Sequence, residues 1–257
     1  MEPDVRVLPA ILVALGRIGD RAAVPTLLEF APHPTSWARV CAFHALTDLG
    51  APEAAAPARK HLTDPVWSVR GAAAECLGEV GAPEDEARLL ALLRDSEMWP
   101  RRGAVYALGR LGLTDAAPRI RERLADPDPE VRLAAVWALG RLGDSESRAA
   151  LLALLRDPSA SVGAPATFAQ GDGAVMLQSD AKERMFDAVV QALARLHQRY
   201  PDRSIERALA AARRRIPAKE LSRLARLPAP EIRGGQIIPT LGDLFPGKGS
   251  TRAAEPG

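Results

Sequence analysis

Val131-Arg132-Leu133-Ala134-Ala135-Val136-Trp137-Ala138-Leu139-Gly140-Arg141-Leu142-Gly143-Asp144 decides the fold of this chain. Val131, Ala135, Leu139 and Leu142 fall three or four apart, the spacing of one helix face, and Gly143 is placed to stop that helix. The stop recurs. Gly19, Gly50, Gly81, Gly112 and Gly143 stand 31 residues apart, and other columns fall into register with them. Four before each glycine is a leucine: Leu15, Leu46, Leu77, Leu108 and Leu139. Five before it stand Ala14, Ala45, Cys76, Ala107 and Ala138; three before it stand Gly16, Thr47, Gly78, Gly109 and Gly140.

A second helix follows in each unit, most clearly at 84–94, 115–124 and 146–156. It closes on Asp64-Pro65, Asp95-Ser96, Asp126-Pro127 or Asp157-Pro158, and proline there cannot continue a helix. Each unit is therefore a helical hairpin too small to bury its own apolar face, so neighbours must stack.

These residues resemble a HEAT repeat, in the short form of bacterial HEAT-like and phycobilisome-lyase-type repeats. The resemblance implies an all-α, right-handed α-solenoid of about six hairpins. Five units cover 1–157; in the first, Leu8 and His33 replace the arginine and aspartate of later units. Ala192-Leu193-Ala194-Arg195-Leu196-His197 matches Ala138 to Gly143 at an offset of 54, so a sixth, basic unit is expected within 180–227. The stretch 158–179 reads as an insertion, with a hairpin turn expected at Gly171-Asp172-Gly173 between 166–170 and 174–178. Asp180 and Glu183 give a capping signal for a helix from about Ala181 to Arg199, followed by one near 203–215 and a short one at 218–226. Residues 228–257 read as a tail, with Ile237, Ile238, Leu241, Leu244 and Phe245 as a short docking segment.

Composition fits an alanine- and leucine-rich stack: 257 residues, 47% hydrophobic, 4% aromatic, net charge +2. No stretch reads as a transmembrane helix or a signal peptide, so a cytoplasmic protein with no membrane insertion is expected, and the resemblance implies a bacterial one. Cys41 and Cys76 sit in columns of small residues and read as buried packing. The net charge hides a basic sixth unit, in which Arg207, Arg213, Arg214 and Arg215 form the densest patch.

No catalytic constellation appears. His33, His44, His61 and His197 are scattered, no Cys/His cluster has zinc spacing, and Gly242…Gly247-Lys248 fails as a phosphate loop because Gly249 takes the Ser/Thr position. No cofactor or metal is expected. The arginines six residues after each loop aspartate (Arg70, Arg101, Arg132, with Arg39 in the same column) read as ties between units. The column six before the glycine refuses to repeat: Val13, His44, Glu75, Tyr106, Trp137. At 100° per residue it lies about 200° from the leucine column, so it is expected to point outward. A protein-binding surface is accordingly expected at Arg102, Tyr106, Arg110, Leu133, Trp137 and Arg141, with cover for the insertion or tail as the competing reading. Trp37, Trp67 and Trp99 read as satellite packing at helix entries. The groove of second helices, with Lys60, Arg88, Arg119, Arg123 and Arg148, is a second candidate surface.

The expected function is a non-catalytic scaffold or adaptor for a protein partner. Two alternatives stand beside it. Similar repeats occur in phycobilin lyase subunits, which work as paired chains attaching or removing a tetrapyrrole. The basic unit favours nucleic acid, the less favoured partner because charge is near balance elsewhere.

Overall fold

Glycine stops the first helix of each hairpin, and the small residues beside that stop let the next hairpin approach. The computed structural model describes residues 7–156 and 177–213, with backbone alone at 177–184 and 213. First helices are α1 (Val7–Ile18), α3 (Ser36–Asp48), α5 (Trp67–Val80), α7 (Met98–Arg110), α9 (Pro129–Leu142) and α11 (Leu177–Arg199). Second helices are α2 (Val24–Glu29), α4 (Ala55–His61), α6 (Glu86–Leu92), α8 (Ala117–Glu122), α10 (Arg148–Arg156) and α12 (Arg203–Arg213). Each first helix packs on the next first helix, and each of the second helices α2 to α10 packs on the first helix that follows it. The result is an α-solenoid whose core runs along the seam of leucines Leu46, Leu77, Leu108 and Leu139, all fully buried.

Four of the five ruler glycines are left-handed: Gly19, Gly50, Gly112 and Gly143 have φ between +53° and +80°, where a Cβ is costly. After three of them the following N–H bonds back to the leucine carbonyl (Ala51 to Leu46, Leu113 to Leu108, Asp144 to Leu139), closing the helix end. Gly81 departs from the expectation, with φ −77° and ψ −174°. Here the Ala82 N–H bonds to the Asp85 carboxylate at 3.1 Å, and no left-handed turn is needed. The signal was present in the sequence: four residues after the other glycines stand Ala23, Ala54, Ala116 and Ser147, and only here an acid.

The glycine three before each stop marks the closest approach between repeats. A Cβ on Gly16 would lie 2.7 Å from the Ala45 Cα, on Gly109 2.7 Å from the Ala138 Cβ, and on Gly140 2.6 Å from the Ala192 Cα. The last contact shows the sixth unit seated in register at the offset of 54. Where the glycine column has Thr47, the alanine column answers with Cys76, and the Thr47 hydroxyl donates to the Phe43 carbonyl at 2.6 Å. Burial pushes the Cys76 thiol up to about 12, although the Thr47 hydroxyl nearby opposes it. Cys76 therefore packs as a small apolar residue, as expected.

Arginine and aspartate tie the loops, as read from sequence, but Arg39, Arg70 and Arg101 each reach both ways, while Arg132 donates to its own loop at the Asp126 and Pro127 carbonyls. Arg70 donates to its own loop at the Asp64 and Pro65 carbonyls (2.9 and 3.3 Å) and grips Asp95 of the next loop at 2.8 and 2.9 Å. Arg101 repeats this with Asp95, Ser96 and Asp126, and Arg39 with His33, Pro34 and Asp64. Each aspartate in turn accepts an N–H two residues on (Val66, Glu97, Asp128). His33 stands in for the missing aspartate: its Nδ1 accepts the Thr35 N–H at 3.1 Å.

The sixth unit differs in detail from the sequence reading. Helix α11 starts at Leu177, before the expected capping residues, so Asp180 and Glu183 lie inside it. Leu177 and Gln178, expected as the end of a strand, are helical. The rest of the expected hairpin, the short helix at 218–226 and the tail lie outside the described residues.

Candidate protein-interaction surface

Tyr106 is buried and Trp137 is half-buried. Tyr106 is 5% exposed, its ring stacks on that of Trp137 with centroids 5.1 Å apart, and Leu133 is buried as well. The outward expectation fails for a geometric reason. A first helix is flanked by the preceding repeat, the following repeat and a second helix, so a residue opposite the leucine seam still meets a neighbour. The Tyr106 hydroxyl donates to Glu79 at 2.7 Å, and Arg110 grips the same carboxylate with Nε and Nη2 at 2.7 and 2.5 Å. Burial, then the Glu79 charge, drives the Tyr106 phenol well above its ordinary value. Arg102 donates to Glu75 at 2.6 Å and lies 4.1 Å over the Trp99 ring. Arg141 donates to the Gly109 and Arg110 carbonyls at 3.0 and 3.2 Å, capping α7.

These six residues therefore form an aromatic and ionic seam holding the third, fourth and fifth repeats together. A stacked aromatic pair adds about 0.5–1.5 kcal/mol beyond burial, so the seam stabilises the stack. Sequence reasoning missed Glu79, the acid that unites Tyr106 with Arg110. Its signal was the column two before the glycine, which reads Arg17, Asp48, Glu79, Arg110, Arg141 and places opposite charges side by side at Glu79 and Arg110.

The second-helix side is largely self-neutralised. Arg88 lies 3.7 Å from Asp85, Arg119 3.1 Å from Glu122, Arg123 3.7 Å from Asp126 and Arg148 2.8 Å from Asp202. Arg119 and Arg123 line an open depression of about 250 Å³ with Leu90 and Arg94. In the basic unit, Arg207 is exposed, whereas Arg199 donates to the Leu142 carbonyl and packs beside Gly143. The side chains of Arg213, Arg214 and Arg215, and the segment with Ile237, Ile238, Leu241, Leu244 and Phe245, lie outside the described residues. Among the described residues, no group of three or more His, Cys, Asp and Glu is arranged to hold a metal ion. No helix among them is long and apolar enough to cross a membrane.

The exposed apolar surface lies elsewhere. Of the large apolar side chains exposed among the described residues, Val7, Ile11, Ile18, Trp37 and Trp67 belong to the first three repeats, and Tyr200 alone lies beyond them. Trp37 and Trp67 thus correct the expectation of satellite packing: they are 58% and 37% exposed. Trp67 stacks on Trp99 at 6.2 Å, so the two indoles share an edge of the stack. Trp37 and Cys41 border an open apolar depression of about 590 Å³ floored by Pro9, Ala10, Val13, Ala14 and Ile18.

Comparison with known proteins agrees with this architecture. The model of the family described as HEAT repeats matches residues 2–78, 38–105 and 86–169. No curated protein sequence matches the chain. Among solved structures, the complex of CpcE and CpcF of phycocyanin lyase from Nostoc sp. PCC7120 is similar, with TM-score 0.54, 20% identity, and coverage of 84% of this chain and 91% of that chain. An engineered protein aligns at TM-score 0.46 and 19% identity over 73% of this chain and 89% of its own. Human deoxyhypusine hydroxylase aligns at 0.32 and 20% over 83% and 80%. By its matched repeats and its stacked hairpins, the chain belongs to the HEAT-repeat family.

Proposed function

We propose that this protein is a non-catalytic scaffold that binds a protein partner through the first three repeats. The observation that carries the reading is the gathering of exposed Val7, Ile11, Ile18, Trp37 and Trp67 in that part of the stack. Exposed apolar side chains concentrated in one region of a soluble stack mark a surface that is covered in use. Tryptophan in particular is enriched at binding hot spots. The interlocked loops and seams behind this surface hold it rigid, so docking costs little ordering entropy. Tyr106, Trp137 and Leu133 are better explained as part of the seam joining the third to fifth repeats than as anchors.

The test is affinity capture from a native extract with the wild-type chain and with Trp37→Ser/Trp67→Ser. Both substituted side chains are exposed, so circular dichroism should be unchanged while the captured partner is lost. Equal capture by both proteins would sink the assignment. Nucleic acid remains the rival through Arg207 and its neighbours. Binding to a generic duplex that weakens steeply with salt would favour that class instead.

A further inference from the structure

Ion pairs bridge the second-helix side of this stack from hairpin to hairpin, and one junction lacks its bridge. Arg21 reaches Glu53, Arg59 reaches Asp85, Arg121 reaches Glu146 and Arg148 reaches Asp202. The column of Arg59 and Arg121, five before the loop aspartate, holds Leu90 in the third hairpin. Among the described residues no ion pair crosses from α6 to α8, and Leu90 borders the open depression of about 250 Å³ found there. Ala87, Leu90 and Ala91 line it from α6, and Arg94, Arg119 and Arg123 bring three guanidinium groups to it. Glu122 is the one acid on this lining, and it is shared: Arg119 donates to it at 3.1 Å and Arg123 at 3.5 Å. Arg123 also donates to the Leu93 carbonyl at 3.2 Å, and its Nε is buried with no hydrogen-bond partner. Arg94 is exposed, and no hydrogen bond or ion pair holds its side chain among the described residues. Asp115, in the acid column of Glu84 and Glu146, does not border the depression. The lining is therefore apolar on one side and in surplus of positive charge on the other.

We infer that this break between α6 and α8 receives an acidic segment of a partner protein. The segment seats one aliphatic side chain against Ala87, Leu90 and Ala91 and sets flanking carboxylates against Arg94 and Arg119. Charge complementarity selects the acids, since the lining offers three cations against one anion. Size selects the mode of docking. Small-molecule sites span about 300–1,000 Å³, so a depression of about 250 Å³ suits a single side chain better than a cofactor. Guanidinium groups match carboxylates with two parallel hydrogen bonds, which fixes the register of the segment. A nucleic-acid backbone would satisfy the arginines but brings no aliphatic side chain to Leu90. The site uses none of the residues of the tryptophan edge, so it is a second contact surface and does not rest on that assignment.

The probe is an end-blocked, fluorescein-labelled peptide, Gly-Ser-Glu-Glu-Leu-Glu-Glu-Ser-Gly, titrated with the full chain and followed by fluorescence anisotropy. Saturable binding is expected, and replacing the leucine of the peptide with serine should weaken it at least about tenfold. Arg94→Ala changes an exposed side chain and should weaken binding severalfold with circular dichroism unchanged. Leu90→Arg is the decisive variant. It restores the arginine of its column, within reach of Asp115, and fills the depression, so binding should fall at least about tenfold. Simple charge attraction predicts the reverse, because the variant adds a cation. Absence of saturable binding, indifference to the leucine, or equal or tighter binding by Leu90→Arg overturns the inference. So does a generic DNA duplex that displaces the peptide and binds wild type and Leu90→Arg alike, since the groove then belongs to nucleic acid. A concentration-dependent dimer of the wild-type chain that Leu90→Arg abolishes overturns it too, because the occupant is then a second copy. Trp37→Ser/Trp67→Ser should bind the peptide as wild type does, and loss of binding there moves the peptide to the tryptophan edge. If the peptide behaves as expected while Trp37→Ser/Trp67→Ser still captures every partner, the tryptophan assignment fails and this one stands.

Discussion

Replacing Arg101 with methionine tests how the loops are held. Arg101 makes paired bonds to Asp126 at 3.0 and 2.9 Å and donates to the Asp95 and Ser96 carbonyls at 2.9 and 2.8 Å. The Asp126 side chain is fully buried, so removing its cation strands a charge, a change that costs about 3–5 kcal/mol. Two groups soften the loss. Asp126 still accepts the Asp128 N–H at 3.0 Å, and Arg123 remains 3.7 Å away. Methionine also keeps much of the apolar stem. The expected cost of Arg101→Met is therefore at the lower end, about 3 kcal/mol. Arg21→Met is the control: its pair with Glu53 is 54% exposed on both sides, and such pairs contribute about 0.5 kcal/mol. Urea unfolding followed at 222 nm measures both. Hydrogen exchange should show the protection loss centred on the loops at 95–96 and 126–128, because a solenoid opens in parts. Adding Asp126→Asn to Arg101→Met should recover part of the loss, since the stranded charge is gone while the cap acceptor remains. A cost for Arg101→Met below about 1 kcal/mol, or no recovery in the double variant, would refute the reasoning.

Three further outcomes are expected. Gly112→Ala should cost about 1–2 kcal/mol from backbone strain alone, because φ is +73° and nothing lies within 4 Å of the new Cβ; a neutral result in urea melts contradicts this. Burial is the largest single influence and would raise the Asp85 and Asp95 carboxyls, but the hydrogen bonds from Arg59 and Arg70, the backbone N–H bonds from Ala82 and Glu97 and the nearby arginine charges together hold both below the ordinary value. Their stabilising contribution is thus complete above an unfolded-state pKa of about 4 and drains away as pH falls through the lower folded-state values. Urea midpoints should be nearly equal at pH 7 and 4.5 and lower at pH 3, and Asp95→Asn should flatten that fall. Cys76, fully buried with its thiol raised to about 12, and Cys41, raised by burial, should resist iodoacetamide at pH 8 until urea opens the stack, as intact-mass spectrometry would record.

Much of the fold was legible because a solenoid writes its geometry as periodicity. The glycine column marked five helix stops, four of which are left-handed caps, and the offset of 54 placed Ala192 against Gly140. The arginine column predicted ties between loops. Side-chain destination was less legible. The 200° argument placed Tyr106 outside because it treats a helix as having one buried face, whereas this helix has neighbours on several sides. Trp37 and Trp67 were read as packed because tryptophan usually is; their exposure depends on how far the adjoining hairpin overlaps them, which no periodicity records. Asp85 shows the opposite case. An acid four residues after a glycine stop announces a different cap, but that reading is visible only once a carboxylate is seen taking the freed N–H.

The seating of Ala192 on Gly140 has a consequence for the evolution of the chain. Steric fit between the fifth and sixth hairpins is satisfied by two small residues, whatever length of chain runs between them in sequence. The junction after Arg156 is thus a natural splice point, where material of varied length and origin can enter while the stack on either side keeps its pitch. A graft there, such as an epitope or a small folded module, would be carried as cargo at a fixed place along the array.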